Sequence, residues 1–214
     1  MGRKANGGMV SIDAVGRGLD CQCFCPQCDS PLIAVQGDIL QHHFRHYSDT
    51  CHGAAETALH LFAKQIIRES LFLELPELYE PIGRVVSATL EHHLGDCVPD
   101  VLLQYDTGET IAVEIWVAHQ VPPAKVGVYR DRQMGVVEID LRAYVTAQKS
   151  DAQWADIVLL DAPRKWLSPP RAVWLRSRAD PRNHYCDHPG CLAWGSFGFA
   201  RAWFCFDHRA DGDI

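Results

Sequence analysis

Two apolar runs, each interrupted by a single carboxylate, constrain this chain most. The first is Val98-Pro99-Asp100-Val101-Leu102-Leu103. The second, beyond a turn at Gly108, is Thr110-Ile111-Ala112-Val113-Glu114-Ile115-Trp116-Val117. Short β-branched runs on either side of a polar turn predict two paired antiparallel strands. A carboxylate in such a strand is costly unless something positive lies beside it. Two of them converging from neighbouring strands suit a hard divalent cation, Mg²⁺ or Mn²⁺, held by Asp100 and Glu114 with help from the Ile115 carbonyl.

Composition narrows the setting. The chain has 214 residues, 47% hydrophobic and 22% charged, which is ordinary for a globular protein. No apolar run approaches the ~20 residues that span a bilayer, so no membrane role is expected. The first residues also lack a signal-peptide core, and a cytoplasmic location is the expectation. In that compartment nine cysteines read as metal ligands rather than disulfides. The net charge of -7 argues against a strong unassisted grip on phosphates. Charge is uneven, however. Arg164, Lys165, Arg171, Arg176, Arg178 and Arg182 stand against Asp180 alone, interleaved with Trp166 and Trp174. That strip is a candidate DNA-facing segment, and equally a solvated strand and loop whose tryptophans are core.

Cysteine and histidine gather in two places. Cys25-Pro26-Gln27-Cys28 precedes His42-His43-Phe44-Arg45-His46, two ligand pairs around a β-like stretch, as in a zinc ribbon. Spacing assigns Cys25, Cys28, His43 and His46, with Cys21, Cys23 and Cys51 near enough to replace a histidine. The second cluster offers Cys186, Cys191, Cys205 and His208, with His184 and His188 in reserve. Its large apolar filler, Trp194, Phe197, Phe199, Trp203 and Phe204, is too bulky for so short a tail without a staple. Both are expected to be closed structural Zn²⁺ sites.

Along the chain, residues 1–9 read as a disordered lead and 10–53 as an N-terminal strand (Val10–Val15) plus zinc ribbon. Apolar periodicity predicts a helix over Ala54–Phe72. Tyr79–Leu90, Pro99–Tyr105 and Thr110–Ala118 read as a β-meander. Pro122-Pro123 opens a helix through Gln133, and Gly135–Leu141 is a buried strand expected to run parallel to 110–118. Asp151–Leu160 is a short helix. Residues 54–165 thus form the central domain, 166–183 a basic and aromatic linker, and 184–214 the second Cys/His module.

The series Arg17-Gly18, Cys25-Pro26-Gln27-Cys28, His43-Phe44-Arg45-His46, Glu56 with His60 and Lys64, Pro99-Asp100 and Glu114-Ile115 resembles the competence protein CoiA-like family over about residues 10–165. The resemblance implies an α/β (α+β mixed sheet) fold, with a PD-(D/E)XK restriction-endonuclease-like core flanked here by two small zinc-binding modules. It also implies a metal-dependent DNA endonuclease acting in bacterial DNA processing or defence, alone or with a partner protein. Glu56, Asp100 and Glu114 match the acidic positions of that signature. The signature's lysine is replaced by Trp116, which cannot position water. Lys125 in the first turn of the following helix is the first substitute, since such lysines migrate in this superfamily; Lys64, in line with Glu56 and His60, and His119 are the others. The alternative is an inactive fold that binds nucleic acid or a partner through its zinc modules.

Overall fold

The computed structural model describes residues 1–47, 51–76, 82–170, 186–188, 191, 193, 195–199 and 202–212. These form a mixed α/β protein divided into two compact units. The first comprises Met1–Glu74, Ile115–Gln120 and Ile139–Pro163. The second comprises Leu75–Glu114, Val121–Glu138 and Arg164–Ile214.

The first unit carries a five-stranded sheet of order β2-β1-β3-β4-β5, built from Gly2–Arg3 (β1), Met9–Val10 (β2), Gly18–Phe24 (β3), Pro31–Val35 (β4) and His43–His46 (β5). Residues 1–9 are therefore not a disordered lead. Gly2 pairs with Val10, Arg3 with Met9, and Arg3 also with Phe24. Two-residue strands carry no alternation by which to be read. Val10–Val15 is likewise not one strand: β2 ends at Val10, and Ile12–Ala14 is a 3-10 turn that buries Ile12. Beneath the sheet Ile12, Cys21, Cys23, Cys25, Leu32 and Ala34 form a small core. Helix α1, Ala54–Ser70, buries Ala58, Leu59, Phe62, Ala63, Lys64 and Ile67 along one side. The Met9 N–H donates to the Gln65 side chain at 2.7 Å, which fixes β2 to this helix. Phe62 meets Trp154 edge-on, with centroids 6.4 Å apart. Burying such rings contributes roughly 1.5–3 kcal/mol each.

The second sheet has order β10-β9-β8-β7-β6, from Val85–Leu90 (β6), Val101–Tyr105 (β7), Thr110–Trp116 (β8), Gly135–Asp140 (β9) and Arg164–Ser168 (β10). β6, β7 and β8 are the antiparallel meander the sequence predicts, with β6 starting at Val85; residues 77–81 lie outside the described residues. Gly108, at φ 83°, makes the turn between β7 and β8. Helix α2, Pro123–Asp131, begins on the predicted prolines. It leads into β9, which runs parallel to β8: Leu141 N–H donates to Trp116 O at 2.9 Å, and Gly135 lies against Ile111. Helix α3, Asp151–Asp156, starts on a Ser150–Gln153 capping box and runs into one π turn, Ile157–Asp161. The tail forms a hairpin, Phe197–Phe199 (β11) with Ala202–Phe204 (β12), then a 3-10 segment Phe206–Gly212. Among the described residues no helix is long and apolar enough to cross a membrane.

Candidate cation site and zinc centres

The turn between β3 and β4 presents Cys25 and Cys28, the end of β5 presents His46, and Cys51 precedes α1. Their ligand atoms all lie within 4.8 Å of one another. Cys25 Sγ is 3.6 Å from Cys51 Sγ, and His46 Nε2 is 3.4 Å from both Cys28 Sγ and Cys51 Sγ. A tetrahedral Zn²⁺ with bonds of about 2.3 Å to sulfur has edges of about 3.8 Å, so these separations are already about those of a ligand shell. Hydrogen bonds from Ser30 pull the Cys28 thiol down to about 6, whereas burial pushes the Cys51 thiol up to about 12.

His43 is not in this set; Cys51 takes its place. His43 and His46 lie three apart on a strand, so they point to opposite faces, and a His-x-x-His pair acts as a chelate only on a turn or helix. His43 Nδ1 donates instead to the Gln41 carbonyl at 2.8 Å. Cys21 and Cys23 are core residues, with thiols directed to the Leu32 and Cys21 carbonyls.

In the second cluster Cys186, Cys191, Cys205 and His208 converge as the spacing predicts. Cys191 Sγ and Cys205 Sγ are 3.8 Å apart, and His208 Nδ1 is 3.5 Å from Cys186 Sγ and 3.2 Å from Cys205 Sγ. His188 stacks on the His208 ring, centroids 3.8 Å apart. Both clusters could hold zinc. His184 and Trp194 lie outside the described residues.

The carboxylates on the strands meet in the second unit. Along β8 side chains alternate, and Ala112 and Glu114 share a face. Val101 pairs with Val113 in antiparallel register, which puts Asp100 opposite Glu114 at the next position. Glu114 is only 4% exposed. From α2, Lys125 and Tyr129 stand at i and i+4 and reach the same carboxylate. Lys125 Nζ lies 2.7 Å from Oε1 and 2.9 Å from Oε2, and the Tyr129 hydroxyl donates to Oε1 at 2.5 Å. Burial pushes the Glu114 carboxyl above the usual range; Lys125 and Tyr129 oppose this, while the negative charge of Asp100 adds to it. Burial and the bond to Glu114 push the Tyr129 phenol up as well, so it remains a donor.

The other predicted residues belong to the first unit. Glu56 and His119, with Gln27, His60 and Ile115, line a cavity of about 400 Å³. Lys64 is 4% exposed on the buried side of α1. Trp116 lies under the Arg142 guanidinium, 3.4 Å from its ring centroid, and Arg142 is itself held by Asp140 at 2.7 and 3.0 Å. Trp116, where the resemblance would put a lysine, is thus one half of a stacked pair. The start of the basic strip is strand β10, where Lys165 pairs with Glu138 at 3.0 Å; Arg171, Trp174, Arg176, Arg178 and Arg182 lie outside the described residues.

Two residues pass unnoticed in the sequence. Tyr129 becomes legible once Lys125 is put on a helix, four residues away. Glu138, 1% exposed in β9, satisfies the criterion that singles out Glu114, a carboxylate inside an apolar strand. Comparison with protein-family models, curated proteins and solved structures finds no match.

Proposed function

We propose that the chain is a divalent-cation-dependent DNA endonuclease with a PD-(D/E)XK-like core, in keeping with its resemblance to CoiA-like proteins. The observation that carries this reading is the buried Glu114 carboxylate, opposite Asp100 in register and in contact with Lys125. Asp100 is a second acid close enough for its charge to raise the Glu114 pKa, and two carboxylates converging from neighbouring strands suit a hard divalent cation. Glu114 fits an ion, because its oxygens are not saturated by Lys125 and Tyr129.

A bound Mg²⁺ or Mn²⁺ supplies Lewis acidity toward the scissile phosphate and a more acidic water. The chain's own residues do the rest. Asp100 and Glu114 hold the site negative, and Tyr129 keeps Glu114 in one rotamer. Lys125 replaces the absent signature lysine, with its ammonium available to the attacking water or the phosphate. In hydrolysis the water oxygen bonds to phosphorus, one P–O bond to a sugar oxygen breaks, and that oxygen takes up a proton. Glu56 enters this reading through the resemblance alone, and the two zinc centres serve as structural staples.

Plasmid nicking with Mg²⁺ or Mn²⁺ tests the proposal. Asp100→Ala and Glu114→Ala should bring cleavage to background, and Lys125→Ala should slow it about 100-fold, as loss of one electrostatic donor does. Absence of wild-type cleavage on single-stranded, duplex and branched DNA with either metal overturns it, in favour of an inactive fold that binds nucleic acid or a partner.

A further inference from the structure

We propose that Arg142, held flat on Trp116, is a stacking platform for an unpaired nucleobase, so that the chain takes nucleic acid with at least one base out of the duplex. The inference deepens the proposed function and rests on its claim that the substrate is DNA. The Arg142 guanidinium carbon lies 3.4 Å from the centroid of the Trp116 ring, which puts the planar group directly over the indole. Its edge is occupied. Nε donates to Asp140 Oδ1 at 3.0 Å and Nη2 to Oδ2 at 2.7 Å, a two-point pair. That fork is the part of an arginine that recognises a phosphate, and here a carboxylate fills it and offsets the charge. What the group still offers is its plane. Just over half of the Arg142 side chain, 51%, is exposed although one side rests on the tryptophan. Arginine planes and aromatic rings both stack on bases that have left a duplex.

The platform is set before any ligand arrives. Asp140 Oδ1 also accepts from the Arg142 backbone N–H at 3.1 Å, and Leu141 N–H donates to the Trp116 carbonyl at 2.9 Å. The end of β8 that carries the ring is thus tied to the turn that carries the guanidinium, the 3-10 segment Arg142–Tyr144. Fixing a long side chain in advance lowers the entropy lost on binding. An exposed ion pair adds little stability by itself, so stability is a weak reason for the arrangement. A base needs a plane and no net charge, and a stacked guanidinium neutralised by Asp140 supplies that.

The test is binding of the zinc-loaded full chain to two labelled single strands of equal charge, one of thymidines and one of abasic deoxyribose phosphates. Fluorescence anisotropy without added Mg²⁺ or Mn²⁺ reads affinity with no cleavage. Wild type should bind the thymidine strand about tenfold more tightly, within the range of one stacked base. Arg142→Lys keeps the charge and loses the plane, so it should bring the two strands level while leaving the salt dependence of binding unchanged. Equal wild-type affinity for the two strands overturns the inference, as does an Arg142→Lys chain that keeps the full difference. The wild-type comparison decides even if the variant fails to fold. If either result comes with intact plasmid nicking, only the platform is lost. A wild type that binds neither strand nor duplex and cuts no DNA removes the nuclease reading with it.

Discussion

Lys125→Met removes the ammonium that neutralises Glu114 while keeping most of the aliphatic stem. Breaking a buried ion pair from one side costs about 3–5 kcal/mol, since a charge is left without compensation. Here Glu114 is buried but Lys125 keeps 25% of its side-chain surface, so water already screens part of the attraction. Tyr129 also remains on Oε1, and a hydrogen bond to a charged group contributes about 1.5–3 kcal/mol. The expected loss is therefore below the full range, about 2–3 kcal/mol. Glu114→Gln alone should be mild, because the amide still accepts from Tyr129 and Lys125 can turn to solvent. The double variant should recover most of the loss, giving a coupling of about 2 kcal/mol, well beyond the scatter of independent sites. Native-state hydrogen exchange at the β8 amides, in zinc-containing and Mg²⁺-free buffer, reads this locally. A coupling within about 0.5 kcal/mol of zero would refute the argument that Lys125 compensates a buried charge.

Because the folded-state pKa of Glu114 is raised, its contribution to stability is full below the unfolded value and declines as pH rises through the folded one. Glu114→Gln should thus gain on wild type from about pH 4.3 upward and then level off, seen as the difference between their melting curves. For the first zinc centre, Cys51→Ser should leave about one zinc per chain where wild type carries two, whereas His43→Ala should keep both, by metal analysis of purified protein.

The parts of the fold that were legible are those where period and punctuation agree. The β7–Gly108–β8 hairpin, the proline start of α2 and the apolar run of β9 each join a pattern to a boundary signal. The first zinc centre was legible as a cluster but not as a ligand set. His43-x-x-His46 has chelate spacing, yet the pair sits on a strand, where that spacing points the rings apart. Cys51, without a partner in any motif, reaches the site only through the tertiary path of the chain. Lys64 looks like part of a charged ladder with Glu56 and His60, but it falls on the same side of α1 as Ala63 and Ile67 and is drawn into the interior with them. Glu114 stood out as an acid within an apolar strand. That its oxygens are shared by a lysine and a tyrosine from one helical face could not be read until α2 was oriented.

The four side chains of the first Cys/His cluster come from three places in the first unit: the β3–β4 turn, the end of β5, and a position two residues before Gly53, the residue on which α1 begins. A metal bound there is a reversible crosslink between residues 25 and 51, closing a loop whose freedom would otherwise oppose folding. It would also anchor the chain two residues before the Gly53 cap of α1, and Glu56 lies in that helix's first turn. A soft ion held there would thereby help set the position of Glu56, a hard acid outside the cluster. Stripping zinc should loosen the cavity of Glu56, His60 and His119 first, although none of these three belongs to the cluster.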